Sequence, residues 1–98
     1  MFRLICLVRV HDNADVDALV AGARQMVADE PKILRGEVMP GLGKMKEYVD
    51  HASYSLLMDF ASEEDWTAYI AGEPHRTFHE LAIPFVKHIV VTQYELPD

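Results

Sequence analysis

Apolar positions dominate Phe2 to Val10 (FRLICLVRV), a β-branched segment of strand length that ends at the cap-rich His11-Asp12-Asn13. From Val16 the pattern changes period. Val16, Leu19, Val20, Ala23, Met26 and Val27 recur at three- and four-residue steps, which places them on one face of a helix, with Asp15 and Asp17 favourably near its positive end and Pro31 as its stop. Ile33 to Met39 (ILRGEVM) predicts a second strand, Pro40-Gly41-Leu42-Gly43 a loop, and Ala52 to Phe60 (ASYSLLMDF) a third strand. Ser62-Glu63-Glu64-Asp65 reads as a capping-box variant opening a short helix with Trp66, Tyr69 and Ile70 on its buried stripe and Gly72 at its end. Pro74 suits the start of a further helical segment carrying Phe78, Leu81, Ala82 and Phe85, with Pro84 dividing it. His88 to Leu96 predicts the last strand.

The order strand, helix, strand, strand, helix, strand is that of a ferredoxin-like α+β domain, an antiparallel sheet with helices on one face. One face of such a sheet ordinarily faces water and is polar. Here Leu4, Cys6 and Val8 on one face of the first strand are matched by Ile5 and Leu7 on the other, and Ile89 and Val91 by Val90 in the last strand. Helices cover one face only. The simplest cover for the other is a second copy of the sheet, so the pattern predicts a homodimer packed sheet to sheet.

The 98 residues fit one domain, residues 1–98, and a chain this short buries only about 60 to 70 % of its unfolded surface, which favours a partner subunit. Nine basic against sixteen acidic side chains, with no basic cluster, argue against nucleic acid and against an anionic membrane surface. The longest apolar runs fall far short of the roughly 20 residues that span a bilayer, and the N-terminus reads as a strand rather than a signal peptide. Cys6 is the single cysteine; it forms no internal disulfide, which fits a reducing, cytoplasmic location.

The segment Ala68-Tyr69-Ile70-Ala71-Gly72-Glu73-Pro74-His75-Arg76-Thr77-Phe78 is similar to a signature of tyrosine, short gap, proline, histidine and phenylalanine. It runs without a gap through Pro84 to Ile89-Val90-Val91-Thr92-Gln93-Tyr94, and Met1 to Val10 matches the accompanying first strand. Over nearly its whole length the chain resembles the Dabb, or stress-responsive dimeric α/β barrel, family. That family includes plant stress proteins without a known reaction, a hydroxynitrile lyase, and olivetolic acid cyclase, which closes a polyketide by aldol condensation. The resemblance implies that Tyr69 and His75 form an acid/base pair at a pocket between sheet and helices. Leu4 and Tyr54 stand where the cyclase carries two further pocket histidines, and His51 lies three residues upstream of Tyr54.

Tyr69 and His75 are six positions apart, which one continuous helix would not bring to one face, but Gly72-Glu73-Pro74 breaks the helix between them and lets them converge. An imidazole takes a proton at neutral pH, and a phenol donates to a developing oxyanion. Such a pair needs no cofactor. A pocket walled by Leu4, Cys6, Val8, Leu56, Met58, Phe78, Ile89 and Val91, with His51, Tyr54, Tyr69 and His75 as polar groups, suits a small apolar metabolite bearing a carbonyl or phenol. The expected activity is that of a cofactor-free lyase or cyclase.

The same residues also fit a non-catalytic stress or ligand-binding barrel, with His75 capping its helix and Tyr69 packed in the core. Neighbouring dimeric barrels that act as cofactor-independent monooxygenases or bind haem supply a third reading. His75 and His79 have the four-residue spacing of a metal chelate, to which His51 or His88 would add a ligand, but Arg76 replaces the glutamate of a zinc-protease motif and a polar helix edge is the simpler reading; no metal is expected. Cys6 is expected as a small buried hydrophobe rather than a nucleophile. Gly41-Leu42-Gly43-Lys44 is no phosphate loop, because the upstream glycine is missing and Met45 replaces the Ser or Thr. Lys44, Lys46 and Tyr48 fall in an inter-strand loop, either a lid or a solvated turn.

Overall fold

The computed structural model describes residues 1–44 and 50–97. Its elements run β1 (Phe2–Val10), α1 (Val16–Asp29), β2 (Ile33–Pro40), β3 (Tyr54–Phe60), α2 (Glu63–Ala71), α3 (Glu73–Ala82), a 3-10 turn (Ile83–Phe85) and β4 (Val86–Glu95). The strands form one antiparallel sheet in the order β2-β3-β1-β4. Both βα-type crossovers therefore skip a strand, as in the split βαβ arrangement of ferredoxin-like folds. The third strand begins at Tyr54 rather than Ala52, and the last begins at Val86 rather than His88. Among the described residues no helix is long and apolar enough to cross a membrane.

Capping chemistry sets the helix starts. Asp15, after the polar run that signals the start, accepts a bond from the Ala18 amide at 3.1 Å, and the Ser62 hydroxyl accepts one from Asp65 at 3.1 Å. Leu19, Val20, Ala23 and Met26 then bury the inner stripe of α1, with Val16 and Val27 at its edges. α1 and α3 cross at Gly22, where an added Cβ would lie 2.7 Å from Leu81 Cδ2. The inner face of the sheet pairs Phe2 with Phe60, Leu4 with Met58, Cys6 with Leu56 and Val8 with Tyr54 across β1 and β3. All but the half-buried Cys6 are buried, and this layer against α1 and α2 is the core.

The expected helix stripes need two corrections. Ile70 and Leu81 are 41% and 46% exposed, because α2 and α3 are short and only Tyr69 and Ala82 of them reach full burial. On the helix-free face Leu7 and Val90 remain 45% and 52% exposed, and Tyr94 41%. The one fully buried charge on that face is Asp59, which receives both a 2.7 Å and a 2.9 Å bond from the Arg3 guanidinium. The fork-to-fork pair holds the Asp59 carboxyl below the usual carboxylate range, against the opposing effect of burial.

Candidate functional site

Local backbone at the α2–α3 junction sets the site. Gly72 ends α2 in extended conformation (φ −85°, ψ 165°), and its amide donates to the Tyr69 carbonyl at 3.0 Å. Space is tight there: a Cβ on Gly72 would approach the Tyr69 and Ala68 carbonyl oxygens to 3.3 and 3.4 Å. Pro74 falls in the first turn of α3, where a missing amide hydrogen costs nothing. The break redirects the chain so that His75 comes back over Tyr69, with ring centroids 5.0 Å apart and edge-to-face at 69°. Phe60 supports Tyr69 from behind at 5.2 Å, and His79, one turn beyond His75, lies 5.9 Å from it. Aromatic packing of this kind fixes the two functional rings from the core outward.

These rings line a cavity of about 250 Å³ between the sheet and α1 and α3. Of the residues expected there, Cys6, Val8, Tyr54, Leu56, Met58, Tyr69, His75, Phe78 and Ile89 line it. Met26, His79, Ala82, Ile83 and Val86 complete the wall. Met26 and Ala82 were legible as apolar stripe positions, and His79 as the next-turn neighbour of His75; each lacked a signal that it faces a cavity rather than packed core. Leu4 is buried in the core beside the cavity, and Val91 lies on the half-exposed edge strand; neither lines it.

His51 is placed elsewhere. It precedes β3, and Arg9 Nη1 donates to its Nδ1 at 2.9 Å, drawing it into a shallow depression with Leu7, His88 and Val90. Because β1 alternates, Arg9 projects opposite Val8, so His51 and His88 stand away from the His75–His79 pair and do not complete a chelate with it. Among the described residues no three His, Cys, Asp or Glu side chains assemble as metal ligands. Lys44 is exposed in the inter-strand turn, and Lys46 and Tyr48 lie outside the described residues.

The electrostatics separate one base from three proton-bearing groups. Burial, then the neighbouring His79, push the His75 pKa below its ordinary value, opposed by a backbone hydrogen bond with Ile70. A neutral imidazole carries one donor and one acceptor nitrogen. Burial raises all three weak acids in the cavity: Cys6 to about 11, Tyr54 to about 12, and Tyr69 further still, so each stays protonated at neutral pH. The Tyr69 hydroxyl, on a side chain only 3% exposed, donates to Met26 Sδ at 3.4 Å. A thioether is a weak acceptor, and an incoming oxygen readily outcompetes it.

Several solved structures share this architecture. A dimeric ferredoxin-like protein of unknown function from Thermobifida fusca superposes with a TM-score of 0.84 at 20% identity, covering 97% of this chain and 90% of that one. The hydroxynitrile lyase of Passiflora edulis gives 0.83 at 20% identity over 99% and 94% of the two chains. An antibiotic biosynthesis monooxygenase gives 0.78 at 14% identity, with both chains covered completely. Identities this low speak for the fold alone. No curated protein matches the sequence. The sequence profile of the stress responsive A/B barrel domain, by contrast, matches residues 3–96, and the chain belongs to that family, Dabb.

Proposed function

We propose that this protein is a cofactor-free lyase or cyclase in which His75 moves a proton and Tyr69 holds the oxygen of a small carbonyl-bearing or phenolic metabolite. The observation that carries the reading is the pairing itself: an imidazole whose neutral form burial favours, edge-to-face and 5.0 Å from a buried phenol whose one partner among the described residues is a thioether, both on one mostly apolar cavity. In the lyase direction the free His75 nitrogen takes the proton of a substrate hydroxyl and its electrons form the carbonyl. The adjacent carbon–carbon bond breaks, and the leaving carbanion or cyanide recovers the proton from the imidazolium. The Tyr69 hydroxyl leaves Met26 to donate to the substrate oxygen throughout. The aldol direction is the same sequence reversed. The fold likeness to the Passiflora edulis hydroxynitrile lyase supports this reaction class.

The reading includes a homodimer. The uncovered apolar residues Leu7 and Val90, with Ile5 and Leu57 beside them on the helix-free face, supply the surface, and the Thermobifida fusca relative is dimeric. The test is carbon–carbon cleavage of aromatic cyanohydrins and β-hydroxy ketones, followed by aldehyde release from wild type, Tyr69→Phe and His75→Gln. Turnover above the buffer rate that falls about 10²- to 10⁴-fold in His75→Gln is expected. Wild-type rates equal to buffer across the panel sink the proposal in favour of a binding barrel, and oxygen uptake with a quinol would favour the monooxygenase reading instead.

A further inference from the structure

Tyr54 is more deeply buried than either proposed catalytic side chain, at 1% exposure, and it lines the same cavity. Its backbone is held on both sides of β3, opposite Val8 of β1 and Pro40 of β2. Its hydroxyl has no hydrogen-bond partner among the described residues, and Trp66 Nε1 is the one fully occluded, unpaired side-chain polar atom among them. A phenol on a cavity wall with no protein acceptor among the described residues is a donor that a ligand oxygen can use.

We infer that Tyr54 is a second oxygen-recognition point, separate from Tyr69, so that the ligand of this cavity is an uncharged molecule with two oxygen functions, one donated to by Tyr54 and one at the Tyr69–His75 pair. This rests on the proposed reaction for the second oxygen only; the Tyr54 contact stands without it. The cavity wall contains no Lys, Arg, Asp or Glu among the described residues. A carboxylate or an ammonium would lose its hydration there without a formal counter-charge apart from a protonated histidine, and His75 is held toward its neutral form. Cys6 lines the same wall as both phenols. The wall thus offers two phenol hydroxyls, Tyr54 and Tyr69, and the imidazoles of His75 and His79. A hydroxy-ketone or a phenol carrying a carbonyl matches that set.

The experiment measures binding of two non-reacting probes, acetophenone and α-methylstyrene, which differ by a carbonyl oxygen against a methylene. NMR titrations use Tyr69→Phe protein, so that the Tyr69 donor is already absent, and the same protein carrying Tyr54→Phe in addition. Acetophenone is expected to bind Tyr69→Phe about three- to tenfold more tightly than α-methylstyrene, as one hydrogen bond supplies. Adding Tyr54→Phe is expected to erase that preference while α-methylstyrene affinity holds, which also certifies the fold. A preference that survives Tyr54→Phe overturns the inference, as does failure of either probe to bind wild type. Neither probe reacts, so an inactive enzyme leaves this result intact, and an active one with an unchanged preference refutes Tyr54 alone.

Discussion

Tyr69→Phe separates chemistry from packing in a single atom. The ring is 3% exposed and packs on Phe60 at 5.2 Å and His75 at 5.0 Å, and Phe reproduces all of that surface. What disappears is one hydroxyl and its 3.4 Å bond to the Met26 sulfur. A neutral hydrogen bond contributes about 0.5 to 1.5 kcal/mol, a thioether acceptor belongs at the low end, and deleting both the bond and the buried hydroxyl removes a desolvation cost too. The stability change is therefore expected within about 1 kcal/mol, a Tm shift of no more than roughly 8 °C for a domain this size. In the proposed reaction the same hydroxyl is the donor to the developing oxyanion, and its loss is expected to cost about 10²- to 10³-fold in kcat. Circular dichroism melts at one fixed protein concentration, since the proposed dimer would make Tm depend on it, and cyanohydrin cleavage read the two effects side by side. Tyr69→Ala supplies the contrast, losing about 3 to 5 kcal/mol through the cavity it leaves. A Tyr69→Phe protein that keeps activity within threefold of wild type would refute the assignment of the oxyanion donor, however well it folds.

The remaining expectations concern protons and close contacts. Because burial holds the His75 pKa below 6.5 in the fold, activity that needs its neutral form is expected to fall on an acid limb centred below 6.5; a limb centred at or above 6.5 in kcat/KM contradicts this. The same depressed pKa makes His75 a source of stability present above 6.5 and lost as pH falls through the folded value, so His75→Gln should flatten the Tm-against-pH curve in that window. Asp59 is depressed below 3.8 by Arg3, so its contribution is full above 3.8 and lost as pH falls through the folded value; acid unfolding of Asp59→Asn should show a weaker pH dependence there. At Gly36 an added Cβ would lie 2.6 and 3.0 Å from the two methyls of Val27, a stiff β-branched side chain. Gly36→Ala is expected to cost about 1 to 3 kcal/mol in urea melts, with most of it recovered by adding Val27→Ala; unchanged stability of the single variant would show that α1 yields at that contact.

The fold was legible where one periodicity had one physical cause. Leu19, Val20, Ala23 and Met26 repeat because one side of α1 meets the sheet, and that repeat survives in the burial. Ile70 and Leu81 carried the same signal without the burial, since short helices at a junction present only part of their stripe to the sheet. β4 is harder still: Ile89, Val90 and Val91 are apolar in succession and 44 to 52% exposed, so alternation along the strand does not separate a covered face from an open one. For the site, the resemblance singled out Tyr69 and His75, and the break at Gly72-Glu73-Pro74 allowed the two rings to converge, as they do at 5.0 Å. His51 failed for a non-local reason. Its position three residues before Tyr54 gives no hint that Arg9, 42 residues away in sequence, captures its ring on the other side of the sheet.

The same junction explains how the pair is brought together and held. A continuous helix through Gly72 would carry His75 around to a different face, so the two rings meet only because backbone is spent on a turn that packs nothing. The aromatic succession of Trp66 on Phe2 at 5.3 Å, Phe2 on Phe60 at 6.5 Å and Phe60 on Tyr69 at 5.2 Å anchors that turn to the core. Anchoring from behind leaves these rings on the cavity with few partners: Tyr69 meets a thioether, and Tyr54 has no partner among the described residues. A core built only for stability would pair such groups well or replace them with Phe and Leu. Two phenols left so on one cavity are what the proposed ligand accounts for and packing does not.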